Sequence, residues 1–73
     1  FKSKMTKLGL YKHYKGNFYT VIGSAMHSET EEMMVIYQPK KEGATLWVRP
    51  EKMFNELIEI DGKSVPRFEF VAP

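Results

Sequence analysis

The sequence predicts a mainly β domain: a small, strongly bent barrel of five or six short strands with one helical turn. Three observations carry this expectation. Short runs rich in Val, Ile, Thr and aromatic residues alternate with period two. Turn signals separate them, notably Gly16-Asn17, Pro39 and Asp61-Gly62. A chain of 73 residues without an internal repeat can bury one face of a sheet by curling it, with no need of covering helices.

The elements follow in order. Residues 1 to 7 mix Lys, Ser and Thr with isolated apolar residues and show no period, so they are expected to form a flexible basic arm, with one domain over 8 to 73. Leu10 to Lys15 alternates and is ended by Gly16-Asn17. Phe18 to Ala25 reads as the second strand, in which Gly23 marks a bulge or a close backbone approach. His27-Ser28-Glu29-Thr30 forms a polar bend before Met33 to Tyr37, a strand buried on at least one side and closed by Pro39. A polar connection over Gln38 to Ala44 leads to a strand at Thr45 to Val48. Pro50 is expected to open one helical turn, favoured by its fixed φ and followed by Glu51 at the positive helix start. Met53, Phe54 and Leu57 have helical spacing and are expected to cap the open end of the barrel. Ile58 to Ile60 then makes a hairpin through Asp61-Gly62 with a last strand, Val65 to Val71, whose start Pro66 confines to an edge.

Composition narrows the function classes. There is no cysteine, so neither a disulfide framework nor a Cys-based zinc site is available, and a cytoplasmic setting is the default expectation. No apolar run approaches the roughly 20 residues that span a bilayer, so no membrane role is expected. The formal charge is +2, but Lys2, Lys4 and Lys7 lie in the first seven residues, leaving eight basic against nine acidic residues beyond them. A near-neutral folded region argues against a strongly basic nucleic-acid groove.

Several side chains are candidates for recognition chemistry. His27 and Glu29 pair an imidazole with a carboxylate, which suits proton transfer, but they sit in a bend where both equally suit backbone capping. With only His13 and His27 as histidines, a metal site lacks ligands, and no cofactor is expected. Ser24, Ser28 and Ser64 have no nucleophile-elbow pattern around them. Trp47 and Arg49 share one strand face, so an indole and a guanidinium either line a pocket or serve as core anchor and ion-pair partner; Arg67 poses the same choice, with Glu29 and Glu32 as the attractive acids. Tyr11, His13, Tyr14 and Lys15 interleave aromatic and basic groups in the manner of single-strand nucleic-acid platforms, or else form the core and rim of a barrel.

The blocks Tyr11-Lys12-His13-Tyr14-Lys15-Gly16, His27-Ser28-Glu29-Thr30, Val35-Ile36-Tyr37-Gln38, Leu46-Trp47-Val48-Arg49-Pro50 with Met53-Phe54, and Val65-Pro66-Arg67-Phe68 together resemble the bacterial DUF1653 family, over nearly all of Gly9 to Val71. The resemblance implies a compact domain similar to small SH3-like barrels, found alone or attached to other domains, and implies no reaction. In that family the connection before the Trp block often carries a further aromatic residue; Pro39 to Thr45 is Lys-rich and lacks it, which implies a more open pocket. The leading expectation is a non-enzymatic binding module that recognises a small polar ligand, a peptide or a nucleic-acid element through His27, Glu29, Trp47, Arg49, Arg67 and His13. The alternatives are a small hydrolase or nucleotide-processing accessory domain using His27 and Glu29, and a structural domain that docks a protein partner.

Overall fold

The computed structural model describes residues 6–73. Among them are seven strands and one short helix: β1 (Gly9–His13), β2 (Phe18–Met26), β3 (Met33–Pro39), β4 (Trp47–Pro50), α1 (Glu51–Phe54), β5 (Leu57–Ile60), β6 (Lys63–Pro66) and β7 (Phe68–Ala72). Five strands form one antiparallel sheet in the order β4-β3-β2-β1-β7, and β5-β6 is a separate hairpin. β1 to β4 make a meander, and β7 returns to lie against β1.

The sheet is open, because β4 and β7 are its two edges and do not pair. The expected barrel closure is therefore not present. The physical reason lies in α1, whose Phe54 enters the face that a closing sheet would otherwise cover. Phe54 is 0% exposed and stacks on Phe68 with ring centroids 4.2 Å apart and planes 5° from parallel. Tyr11 and Tyr37 flank it at 5.3 and 5.5 Å, and Val21 and Val35 complete the core. Helical coverage of one face removes the need for strand-to-strand closure.

Turn chemistry accounts for most element boundaries. Asp61 and Gly62 take φ of 52° and 78° between β5 and β6, the left-handed pair that a two-residue hairpin requires. The bulge in β2 falls between Val21 and Gly23, so the unpaired residue is Ile22; a side chain at Gly23 would meet nothing within 4 Å, so Gly23 marks the bulge and no close approach. Trp47–Pro50 forms a strand two residues later than the Thr45 to Val48 expected. Pro50 (φ −54°, ψ 139°) ends β4 and sits at the helix N-cap, one position before the first helical residue. Leu57 begins β5 and is exposed, as is Met53, so of the three residues expected to cap the core only Phe54 does so.

The strand expected over Val65 to Val71 is split at Arg67. Pro66 has no N–H to donate, and the Arg67 backbone turns its own groups elsewhere: its N–H donates to Glu56 O at 2.9 Å, and its carbonyl accepts from Tyr14 N–H at 3.0 Å. This crossing ties the β5-β6 hairpin to the end of β1. Of the arm expected over residues 1 to 7, the first five positions lie outside the described residues. Thr6 is docked: it is 8% exposed, its N–H and hydroxyl both donate to the Glu51 carboxylate, at 3.0 and 3.3 Å, and Asn55 Nδ2 donates to its hydroxyl at 3.0 Å.

One glycine is sterically required. Gly9 has φ of 139°, and a Cβ placed there would stand 2.5 Å from Ala72 O and 2.9 Å from the Cα of Pro73. Gly9→Ala is therefore expected to lower stability by about 2 kcal/mol or more, through strain at the β1–β7 seam. Gly23→Ala, with open space and an ordinary φ, should change it by less than about 0.5 kcal/mol. Urea denaturation of the two variants makes the comparison.

Candidate functional site

The inner face of the sheet is laid out by register. Tyr37 opposes Trp47 and Val35 opposes Arg49, while His13 opposes Phe68 and Tyr11 opposes Phe70. Cross-strand partners share a face, so Tyr11, His13, Tyr37, Trp47, Arg49 and Phe68 all belong to the side that α1 covers. α1 reaches only part of it, and the remainder is an aromatic cluster around the buried Phe68 ring; the half-buried border of that cluster, with Arg49, Arg67 and His13, is called the recess.

Phe68 is ringed by His13 at 4.9 Å, Tyr19 at 5.5 Å and Tyr37 at 5.5 Å, all edge-on. The Arg49 guanidinium lies 5.8 Å from the Phe68 centroid, and its Nε–H donates to the Tyr37 hydroxyl at 3.3 Å. Among the described residues Arg49 makes no ion pair. Arg67, adjacent to Phe68, pairs with Glu56 at 2.9 Å through one terminal nitrogen, while its buried Nε–H has no acceptor. Both guanidiniums are half-buried, which strengthens their interaction with an incoming anion relative to bulk water. The acids expected to hold them, Glu29 and Glu32, lie in the turn beyond β2; Arg67 pairs instead with Glu56, in the link between α1 and β5, whose carbonyl also accepts the Arg67 backbone N–H.

His13 reports the local field. Burial first, then the charges of Lys15, Arg67 and Arg49, push its pKa below the ordinary histidine value. Its Nδ1 accepts the Lys15 N–H at 3.2 Å, a bond that needs this nitrogen unprotonated. The folded pKa lies below the unfolded value of about 6.5, so the unfolded chain takes up the proton first. The contribution of His13 to stability is then fully present above about pH 6.5 and lost as pH falls through the folded pKa. Denaturation midpoints at about pH 7.5 and pH 5 should show a larger acid loss for the native chain than for His13→Gln.

His27 and Glu29 are not part of this recess. They occupy the turn between β2 and β3, at the opposite end of the strands from the Tyr19–Pro39 pair. His27 Nδ1 accepts the N–H groups of Glu29 and Thr30 at 3.1 and 3.3 Å, and Thr30 Oγ1 accepts that of Glu32 at 3.2 Å. The imidazole thus caps a turn in which Glu31 takes φ of 59°, and Glu29 is exposed. Trp47 is on the recess side but 55% exposed; it stands at the rim, and Phe54 holds the core position that a lone tryptophan suggested. The residues that sequence reasoning overlooked are Tyr19, Tyr37, Phe68 and Glu56. Period-two alternation puts Tyr19 on a face with Val21, but nothing local signals that β7 returns to β1.

These features define a small, open-sheeted β domain whose aromatic cluster around Phe68 is bordered by His13 and Arg49. The chain belongs to the DUF1653 family, described as protein of unknown function, whose model matches residues 9–70. It is similar to a crystal structure of a DUF1653 protein from Bordetella bronchiseptica, at 32% identity over 90% of this chain and 87% of that one, with a TM-score of 0.79. No curated protein matches it.

Proposed function

We propose that the domain is a binding module that holds an anionic group of its ligand, a phosphate or carboxylate, in the recess between Arg49, Arg67 and His13. The observation that supports this most strongly is the Arg49 guanidinium and the His13 imidazole on the Phe68 ring, with the half-buried Arg67 guanidinium near enough to act on His13 alongside Arg49 and a single carboxylate, Glu56, paired with it. The two guanidiniums repel each other and disfavour a protonated His13, and an anion between them offsets both effects. Arg49 offers its terminal N–H groups, Arg67 its unsatisfied Nε–H on modest rearrangement, and His13 gains a proton when the anion arrives. The aromatic walls of Tyr19, Tyr37 and Phe68 exclude water and make each charged hydrogen bond count for more. Among the described residues no His, Cys, Asp and Glu group of metal-binding size is present.

Calorimetric titration with inorganic phosphate at low ionic strength tests the reading. Saturable one-to-one binding is expected, weakening as salt rises and strengthening as pH falls through the His13 transition. Absence of saturation with phosphate, sulfate and acetate alike would overturn it.

A further inference from the structure

The charges that cancel in the total are sorted along the strands. The turn joining β2 and β3 carries Glu29, Glu31 and Glu32, while the opposite end of the sheet carries Lys12, Lys15, Lys40 and Lys41; the Arg49 backbone opposes Val35, nearer the acidic turn, and its guanidinium reaches the Phe68 ring from there. A near-neutral sum therefore conceals a basic end and an acidic end. The acids at the basic end are Glu42, Glu69, which opposes Lys12 across β1 and β7, and Glu56, which Arg67 engages.

Two aromatic rings project at this basic end. Tyr14 is 39% exposed with Lys15 Nζ 5.8 Å from its centroid, and Phe18 is 42% exposed with Lys12 Nζ 5.9 Å away. Lys40 adjoins Phe18, its N–H donating to the Phe18 carbonyl at 3.0 Å. Each stacking surface thus has a cation within one ring-width, the combination that single strands use, with bases on the rings and phosphates on the ammonium groups. A shallow cleft of about 390 Å³, lined by Lys12, His13, Tyr14, Val65, Pro66 and Glu69, opens beside Tyr14. His13 lines this cleft and also packs edge-on against Phe68, so it joins the cleft to the recess.

We infer that the anionic ligand of the recess is a single-stranded nucleic acid that passes over the end of the sheet, from the His13 side to the opposite face where Phe18 opposes Lys12, so that its bases stack on Tyr14 and Phe18 and its flanking phosphates meet Lys12, Lys15 and Lys40. This rests on the recess reading and names its ligand class. A duplex fits the surface poorly, since α1 has four residues, too few to enter a major groove, and stacked pairs offer the two rings no free base faces.

Fluorescence anisotropy with labelled single strands of about ten nucleotides, ribo-uridine and deoxythymidine, tests the inference. Saturable binding is expected at about 50 mM salt, weakening about 20-fold by 200 mM if three phosphates are neutralised. Tyr14→Ala and Phe18→Ala should each weaken it about fivefold or more, and Lys12→Gln should flatten the salt dependence. A duplex of the same length and polyglutamate should bind at least about tenfold more weakly. Equal binding of RNA and DNA supports recognition through phosphate and base, and tighter binding of RNA supports it with an added 2′-hydroxyl contact. Failure of the single strands to saturate, indifference to the Tyr14 and Phe18 substitutions, or equal binding of duplex or polyglutamate would overturn it. If inorganic phosphate still binds the recess in that event, only the ligand class fails; if phosphate also fails, the recess reading falls with it.

Discussion

Phe54→Ala is expected to leave the domain largely unfolded at room temperature. Phe54 is the largest fully buried side chain among the described residues, stacked on Phe68 and met edge-on by Tyr11. Removing a buried phenyl ring costs about 3–5 kcal/mol through lost transfer free energy and the cavity left behind. One core in a domain of this size rarely supplies more than about 3–5 kcal/mol of net stability. The loss is thus comparable to the whole, and the sheet is too short to collapse over the gap. Met53→Ala, one residue earlier and exposed, should shift the urea midpoint little, by the equivalent of about 0.5 kcal/mol. Far-UV circular dichroism in urea separates the two outcomes. A cooperative transition retained by Phe54→Ala near the native midpoint would show that α1 is not the element that fills the open face.

The second large effect concerns binding. Arg49→Gln is expected to weaken phosphate about tenfold or more while leaving the fold intact. A hydrogen bond to a charged group contributes about 1.5–3 kcal/mol, and 1.4 kcal/mol corresponds to a factor of ten. Arg49 makes no ion pair among the described residues, so the substitution orphans no internal acid; the weak bond to the Tyr37 hydroxyl and the contact over the Phe68 ring are lost. Arg67→Gln should weaken phosphate to a similar degree, with a small stability cost because Glu56 is well exposed when released. The two arginines address one anion, so their effects are expected to be non-additive in a double-mutant cycle. Equal affinity in native and Arg49→Gln protein would place the anion elsewhere.

Much of the fold was legible because its signals are local. Asp61-Gly62 and Gly16-Asn17 punctuate hairpins by their own backbone preferences, and the His27 to Thr30 bend is closed by side chains within three residues of one another. What escaped local reading depends on distant pairing. The return of β7 to β1 sets Phe68 beside His13, and the bond from Arg67 N–H to Glu56 O splits the last strand; neither is encoded in a period or a turn motif. Barrel closure was not legible either: helical spacing marks Phe54 as a capping residue, but whether β4 and β7 meet depends on pairing between distant strands.

The site shows a similar division. Arg49, Arg67 and His13 were identifiable as residue types with chemistry, and the structure brings them together. His27 and Glu29 were equally conspicuous, yet the backbone N–H groups of Glu29 and Thr30 occupy the His27 nitrogen nearest them, and the strands carry the pair to the other end of the sheet. Net charge misled for a geometric reason: summing over the chain averages a basic end with an acidic one, whereas a ligand meets only one end.

The most direct test is an NMR titration with inorganic phosphate that follows the arginine Nε–H and histidine ring resonances. Arg49, Arg67 and His13 are expected to shift together with one saturation curve, with His27 and the Glu29 amide unmoved. Shifts at His27 and Glu29 with the recess silent would contradict the account.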